Sequence, residues 1–179
     1  MPSREEVRGV LPELELIEDE ALREKTLDVW TDAMVEGGWE IRDLADIPFT
    51  LLVETKVSLL DHTRVVTQTA VAMCDAMSSF YGDAMPMNRD YLVSGGILHD
   101  VGKLLEYRRA GEKFVKSEIG KDLRHPFSGT ALAYKHGIPS AICHLIAVHA
   151  KEGEGARRTP EAVIIHYADF VNFESLKLA

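Results

Sequence analysis

The chain has 179 residues, of which 46% are hydrophobic and 27% are charged, a composition typical of one globular domain with a sizeable core. No apolar run reaches the roughly 18 to 20 residues that cross a bilayer, and the opening MPSREEVRGV lacks the apolar stretch of a signal peptide. The two cysteines, Cys74 and Cys143, do not form a CxxC pair, and we expect both to be reduced core residues. These features predict a cytoplasmic protein and argue against a membrane protein.

The charge of the chain is unevenly distributed. Residues 1–60 contain 6 Lys and Arg against 15 Asp and Glu, which accounts for the whole net charge of −9. Residues 101–125, by contrast, contain 7 basic and 4 acidic side chains. A locally basic stretch can attract a small phosphorylated or anionic substrate. Because no extended basic face accompanies it, long nucleic acid is not expected as a partner.

The first predicted elements are two amphipathic helices. Residues 18–36 form a helical pattern that the glycines at 37–38 end. A longer helix is predicted near 54–80, because its apolar residues from Val66 to Met77 recur at intervals of four, three and four. The stretch 82–86, which contains glycine and proline, breaks this second helix.

The rest of the chain is also predicted to be helical. A third helix begins after Asn88, a residue type suited to the N-cap, and reaches about Val101, while the Gly-, Lys- and Glu-rich stretch 102–124 is predicted to be a mobile loop. Three further helices each have a proline at their start: about 126–136, 139–150 and 160–177. The sequence therefore predicts an all-α fold, a compact single-domain bundle of about six or seven helices. An acidic N-terminal helix and its connection (1–50) would pack on a metal-binding helical domain (51–179).

Six side chains are of the types that divalent transition metals favour: His62, His99, Asp100, His125, His149 and Asp169. Helical spacing places His62, His99 and His149 on the inward faces of three predicted helices. A single histidine on an apolar face is usually a core residue, but a buried carboxylate such as Asp169 needs a partner to offset its desolvation. A metal would satisfy all six at once, and we therefore predict a metal site.

The other three histidines are assigned different places. His136 precedes a glycine and is typical of a helix C-terminus, where a cation interacts favourably with the helix dipole. His144 is five positions from His149, about 140° around a helix, so the two cannot face one metal. His166 lies three residues before Asp169, and it could support the site, lie in the core or lie on the surface.

Five segments carry a resemblance to a known family: LDHTRV at 60–65, GILHDVGK at 96–103, HPFSG at 125–129, VH at 148–149 and YAD at 167–169. In this order, over about residues 55–172, they resemble the HD-domain superfamily of metal-dependent phosphohydrolases. The resemblance implies a helical domain whose first ion is held by four residues: His62, His99, Asp100 and Asp169. It also implies that Asp100 bridges to a second ion held by His125 and His149, as in the binuclear members. The cofactors would be one or two divalent ions of Fe, Mn, Co, Ni or Zn.

The same resemblance implies a phosphohydrolase that uses a metal-activated water to cleave a small phosphate ester, a monoester or a diester, nucleotides included. The branch that cleaves cyclic di-GMP carries Gly-Tyr-Pro after the fourth histidine, whereas this chain has HAKEG at 149–153, so that substrate is not expected. Di-iron oxygenases such as inositol oxygenase use the same six ligands, and the ligand set does not separate them from the hydrolases. A ligand-sensing module without turnover is the third alternative.

Asp100 and Lys103 are the candidate catalytic residues. Lys103 follows the His-Asp doublet by three residues and would place a cation next to a bound phosphate. The alternative for Lys103 is a solvated lysine at a helix end. Arg64, Arg124 and Lys151 flank other ligands and are further candidates for substrate binding. The expected partner is a small phosphorylated or anionic molecule, and the chain could form a homodimer.

Overall fold

A computed structural model describes residues 1–178, and most of these residues are helical. The α-helices, in chain order, are α1 (Arg4–Val10), α2 (Glu20–Gly37), α3 (Leu59–Tyr81), α4 (Arg89–Leu98), α5 (Lys103–Glu106), α6 (Glu118–Asp122), α7 (His125–Lys135), α8 (Ser140–Val148) and α9 (Pro160–Lys177). Two strands, β1 (Tyr107–Ala110) and β2 (Lys113–Lys116), form an antiparallel hairpin between α5 and α6. Short 3₁₀ turns lie at Pro12–Leu16, Ile41–Ala45, Gly82–Ala84 and Lys151–Gly153. The prediction of an all-α fold is confirmed.

Side chains fix the starts of the longer helices. Four of them accept a backbone N–H three residues further on: Asp19 before α2, Ser58 before α3, Asn88 before α4 and Thr159 before α9. The predicted N-cap at Asn88 is thus confirmed, and α3 begins later than predicted because Ser58 caps it. Gly38 ends α2 with a φ of 73°, in the left-handed region, as the paired glycines predict.

Within residues 1–178, six helices have nine residues or more, in agreement with the predicted six or seven. The short helices α1, α5 and α6 are additional to the prediction. Pro126 and Pro160 lie in first turns as predicted, whereas Pro139 precedes the first residue of α8. None of the helices in this part of the chain has the length and apolar content needed to cross a membrane. Ala179, the last residue of the predicted domain 51–179, lies outside the described residues.

The stretch 102–124, predicted to be a mobile loop, instead contains α5, the hairpin and α6. Gly111, with a φ of 64°, occupies the two-residue turn of the hairpin, where this backbone conformation would strain most side chains. Tyr107 is buried at the start of β1, while residues 108–110 are exposed. Strands this short lack the alternation of apolar and polar residues that would identify them in a sequence.

Helix α4 lies at the centre of the molecule, and α2, α3, α8 and α9 pack around it. Two glycines in α4 allow this close packing. A Cβ atom on Gly95 would lie 2.6 Å from Cδ1 of Leu145 in α8, and one on Gly96 would lie 2.9 Å from Oγ1 of Thr67 in α3. Since these distances are below van der Waals contact, larger residues would force Leu145 and Thr67 to move and would disturb the packing of α8 and α3 on α4. The glycines therefore bring together the helices that carry the predicted ligands.

The N-terminal segment packs against the same core. Val7 and Leu14 belong to the hydrophobic cluster that includes residues of α4. The indole N–H of Trp30 donates to the carbonyl oxygen of Ile97 at 2.8 Å, and that of Trp39 donates to the carbonyl oxygen of Leu104 at 2.7 Å. These two bonds lie on either side of the His-Asp doublet in the sequence, so α2 and the residues after it help to fix the position of the doublet.

Candidate metal centre

The six predicted ligands come from five parts of the chain and meet at one place. His62 lies in the first turn of α3, the doublet His99–Asp100 directly follows α4, and His125 is the first residue of α7. His149 directly follows α8, and Asp169 lies in α9. The doublet and the other imidazoles are buried, and the Asp169 side chain is 16% exposed.

Asp100 lies between two pairs of imidazoles. Its Oδ2 atom is 3.5 Å from Nε2 of His62 and 3.4 Å from Nε2 of His99. Its Oδ1 atom is 3.2 Å from Nε2 of His125 and 3.6 Å from Nε2 of His149. Asp100 therefore belongs to two groups of three potential metal ligands and joins them through one carboxylate.

Asp169 extends the group that contains His62. Its Oδ1 atom is 3.0 Å from Nε2 of His62. Burial raises the pKa of Asp169, but the hydrogen bond with His62 and the nearby His99 and His149 together outweigh this effect and lower the pKa to about 2. Burial also raises the pKa of Asp100, and there the charge of Lys103 and the nearby imidazoles bring the pKa well below its usual value. Both carboxylates are therefore ionised at neutral pH, the state in which they bind metals.

The outer nitrogens of two imidazoles fix their tautomers. Nδ1 of His99 is 2.7 Å from the carbonyl oxygen of Gly96, and Nδ1 of His149 is 2.7 Å from that of Ile146. A nitrogen that donates to a carbonyl carries the proton, so Nε2 of each ring presents its lone pair to the centre. Both Nε2 atoms are buried without a hydrogen-bond partner in residues 1–178. A metal ion would satisfy them.

The protonation states of the imidazoles also suit a metal. Burial lowers the pKa of His125 to about 4 and lowers that of His62, so both rings are neutral at pH 7. Burial lowers the pKa of His99 too, but Asp100, the charge of Asp169 and the contact with the Gly96 carbonyl together outweigh this effect and raise the pKa. A cation bound beside His99 would oppose its protonation. Neutral imidazole nitrogens with carboxylate oxygens form a donor set that fits Fe, Mn, Co, Ni or Zn.

Lys103 contacts the shared carboxylate. From the start of α5, its Nζ atom donates to Oδ2 of Asp100 and to the carbonyl oxygen of Phe49, each at 2.6 Å. Burial lowers the pKa of Lys103, but the charge and hydrogen bond of Asp100, together with Tyr107 and Asp169, outweigh this effect and raise the pKa. Because the side chain is only 10% exposed, the alternative of a solvated lysine at a helix end is wrong.

A cavity of about 370 Å³ opens over this centre. Three of the predicted ligands border it: Asp100, His125 and Asp169. A second group of lining residues is cationic: Lys103, Lys116, Arg124 and Lys151. A third group is apolar: Phe49, Leu51, Leu52, Phe170 and Phe173. Three glutamates also line it: Glu106, Glu152 and Glu174. The cavity thus combines a potential metal centre with charged residues of both signs and an apolar wall.

The three further residues predicted to bind substrate are Arg64, Arg124 and Lys151, and they lie in different places. Arg124 and Lys151 line the cavity, and Arg124 also forms an ion pair of 3.1 Å with Glu106. Arg64 is not among the lining residues, and its Nε atom lies 3.1 Å from Oε1 of the buried Glu13. The prediction that Arg64 binds substrate is therefore corrected: its guanidinium ties the N-terminal segment to α3.

The HD domain model matches residues 59–172, which include all six predicted ligands. The chain belongs to the HD-domain family. No solved structure matches the chain.

Three relatives of this HD-domain protein have names that describe an activity. The chain is 29% identical over 162 residues to dihydroneopterin 2',3'-cyclic phosphate phosphodiesterase of Methanocaldococcus jannaschii, a match that covers 87% of this chain and 64% of that protein. It is 29% identical over 93 residues to ribonuclease Y of Thermotoga petrophila and of Thermotoga maritima, covering 52% of this chain and 16% of each relative. The chain therefore spans only part of the length of these proteins.

Glu106 is a residue of the HD-domain centre that the sequence prediction missed. It is buried, and its Oε2 atom lies 2.9 Å from Nδ1 of His125. The available signal was an acidic residue within an otherwise apolar run, Leu104-Leu105-Glu106-Tyr107, six positions after Asp100. The sequence alone does not assign Glu106 to the site, because its partner His125 lies in α7, 19 residues further along the chain.

The remaining histidines lie outside both ligand groups. His136 is the C-cap of α7, as predicted, and it contacts Asp32 at 2.9 Å. Nε2 of His144 is 2.8 Å from the carbonyl oxygen of Arg157. His166 contacts the backbone carbonyl oxygen of His149, so it supports the chain at one predicted ligand.

Proposed function

We propose that the protein is a metal-dependent phosphohydrolase that cleaves a small phosphate ester. The observation that carries this proposal is the position of Asp100, whose two carboxylate oxygens face two pairs of imidazoles at the base of a cavity with cationic residues. We define the first site as His62, His99, Asp100 and Asp169, and the second site as Asp100, His125 and His149. Membership of the HD-domain family supports the same assignment.

The two sites would hold divalent ions of Fe, Mn, Co, Ni or Zn. When bound, such ions acidify a coordinated water and polarise a phosphoryl oxygen, which is the chemistry that hydrolysis of a phosphate ester needs. The protein contributes ligands that are already oriented, because backbone carbonyls hold the rings of His99 and His149. The ring of Phe49 stacks on His62 with centroids 4.5 Å apart and shields the first site from water.

The cavity wall supplies positive charge for the phosphate. Arg124 and Lys151 border the cavity from the side of the second site, where they could donate to phosphoryl oxygens. Lys103 differs from this pair, since its amine already donates to Asp100. Its main role is to hold the shared carboxylate of Asp100. Because Lys103 also lines the cavity, its second role is to contact the substrate.

The size of the cavity supports a small substrate. A volume of about 370 Å³ is in the range of pockets that enclose a single small molecule. The relative in Methanocaldococcus jannaschii is named for a cyclic phosphate diester. We therefore propose small phosphodiesters, cyclic ones included, as the first substrate class to test.

A substrate screen under argon tests the proposal. Metal-stripped protein is reloaded with Mn²⁺, Co²⁺ or Zn²⁺ and incubated with bis-p-nitrophenyl phosphate, p-nitrophenyl phosphate and 2',3'-cyclic nucleotides. We expect hydrolysis without oxygen and its loss in Asp100→Asn, while Asp122→Asn, at an exposed position in α6, retains it. A parallel arm reloads Fe²⁺ and admits oxygen; turnover in that arm alone, with consumption of oxygen, would establish an oxygenase instead. Tight binding of these ligands without turnover would establish a sensing module.

A further inference from the structure

The four candidate histidine ligands differ in what their outer nitrogens contact. His99 and His149 donate to backbone carbonyls within their own helices, and Nδ1 of His62 has no hydrogen-bond partner in residues 1–178. Nδ1 of His125 faces a carboxylate, that of Glu106, at 2.9 Å. A carboxylate is a stronger acceptor than a carbonyl, and it makes the opposite nitrogen of the ring a more basic metal ligand. The two proposed sites are therefore supported differently.

Glu106 holds His125 at two points. Its Oε2 atom accepts from the backbone N–H of His125 at 2.8 Å and from Nδ1 of the same residue at 2.9 Å. Its Oε1 atom is 3.1 Å from Nε of Arg124 and 3.7 Å from Nζ of Lys116. These contacts fix the position of the carboxylate, and two bonds to one residue fix both the start of α7 and the plane of the imidazole ring.

The hairpin segment encloses Glu106. The backbone N–H of Ser117, after β2, donates to the carbonyl oxygen of Glu106 at 2.8 Å. A Cβ atom on Gly120 in α6 would lie 2.1 Å from the same oxygen, so this position requires glycine. The segment 107–122 thus folds back onto the backbone of Glu106, and the side chain of Glu106 points towards His125 and Arg124.

We propose that Glu106 is a positioning residue of the second site, which orients His125 and raises the affinity of that site for its ion. This inference rests on the proposed function, in which the centre holds two ions. It predicts a selective effect, because Glu106 contacts a ligand of the second site and none of the first. Substitution of such an outer partner typically weakens metal binding about 10- to 100-fold.

The test is a Mn²⁺ titration followed by electron paramagnetic resonance, which counts free and bound ions. In Glu106→Gln we expect one of the two ions to bind about 10- to 100-fold more weakly and the other to bind as in the wild type. The variant His62→Ala keeps the second site. Adding Glu106→Gln to it must lower the affinity for the one ion that still binds. The matched control is Glu118→Gln, at an exposed residue paired with Lys121, and it should leave both affinities unchanged.

The outcomes separate this inference from the proposed function. Two ions in the wild type, with both affinities unchanged or equally reduced in Glu106→Gln, would refute the positioning role and leave the two-ion centre intact. A single ion that does not respond to His125→Ala would refute the two-ion centre itself. If Glu106→Gln does not fold, ¹⁵N-histidine NMR of the metal-free wild type decides, because Glu106 requires the Nδ1–H tautomer of His125. The Nε2–H tautomer would overturn the inference.

Discussion

Replacing Lys103 by methionine should destabilise the metal-free protein by about 3–5 kcal/mol, the usual cost of removing one partner of a buried ion pair. Lys103 and Asp100 are 2.6 Å apart, and the Asp100 side chain is only 1% exposed. Without the lysine, the ionised carboxylate would remain buried with no cation hydrogen-bonded to it. The substitution removes the charge but keeps an unbranched side chain, so the loss measures electrostatics more than packing.

Two contributions make up the loss of unfolding free energy expected for Lys103→Met. The carbonyl oxygen of Phe49 also loses its donor, and an unsatisfied buried acceptor costs about 1–3 kcal/mol. The remainder comes from the uncompensated charge on Asp100. With ions bound at Asp100, their positive charge would take over the second contribution. The loss of stability should therefore be smaller with metal than without it.

Urea unfolding in EDTA and in saturating Mn²⁺ measures both values. Lys121→Met is the control, since Lys121 pairs with Glu118 in solvent and its removal should leave the unfolding free energy nearly unchanged. A loss below about 1 kcal/mol in EDTA would contradict the buried-pair argument. An equal loss with and without Mn²⁺ would show that Asp100 does not face the ions.

Other substitutions test the two sites and the cavity. His62→Ala should weaken only the first ion and His125→Ala only the second, measured as Mn²⁺ bound per chain; equal effects on both ions would contradict the division into two sites. Lys151→Ala should raise KM about tenfold or more, because a hydrogen bond to a charged group contributes about 1.5–3 kcal/mol, whereas Arg64→Ala, at its ion pair with Glu13, should leave KM unchanged. Folding lowers the pKa of Asp169 from 3.8 to about 2, so its ionised form stabilises the metal-free protein above about pH 4, and this contribution is lost as the pH falls towards 2. Asp169→Asn cannot titrate, and its unfolding free energy should fall less steeply over that range; an unchanged slope in acid unfolding would contradict the shift.

Helix ends were the most predictable part of the fold. Asn88 and Gly38 act through local chemistry, a side-chain cap and a left-handed backbone, and local chemistry can be read from a few neighbouring residues. The hairpin was not predictable, because only Tyr107 of β1 is buried. Arg109, also in β1, contacts Asp43 at 3.3 Å, a residue 66 positions earlier in the chain. Where distant contacts stabilise a strand of four residues, the sequence of the strand itself does not identify it.

The predicted ligand residues lie close together in the structure, but the sequence did not predict the contacts that support them. Residue type and helical spacing are enough to nominate imidazoles and carboxylates that point inward. The orientation of Lys103 depends on the carbonyl of Phe49, which lies 54 residues away, and that of His125 depends on Glu106. Arg64 shows the same limit, since a charge near a ligand in sequence can turn towards a different segment.

The two indole bonds to the backbone have a consequence for where the protein can be cut. The segment that matches the HD domain, residues 59–172, contains the acceptors Ile97 and Leu104 but neither donor, because Trp30 and Trp39 lie upstream of it. A fragment trimmed to that segment would lose both indole donors and uncover apolar residues of the shared core, such as Ile97 and Leu98. The segment that matches the family and the segment that shares one hydrophobic core are therefore different lengths of chain. Residues outside the matched segment thus help to position the predicted metal ligands.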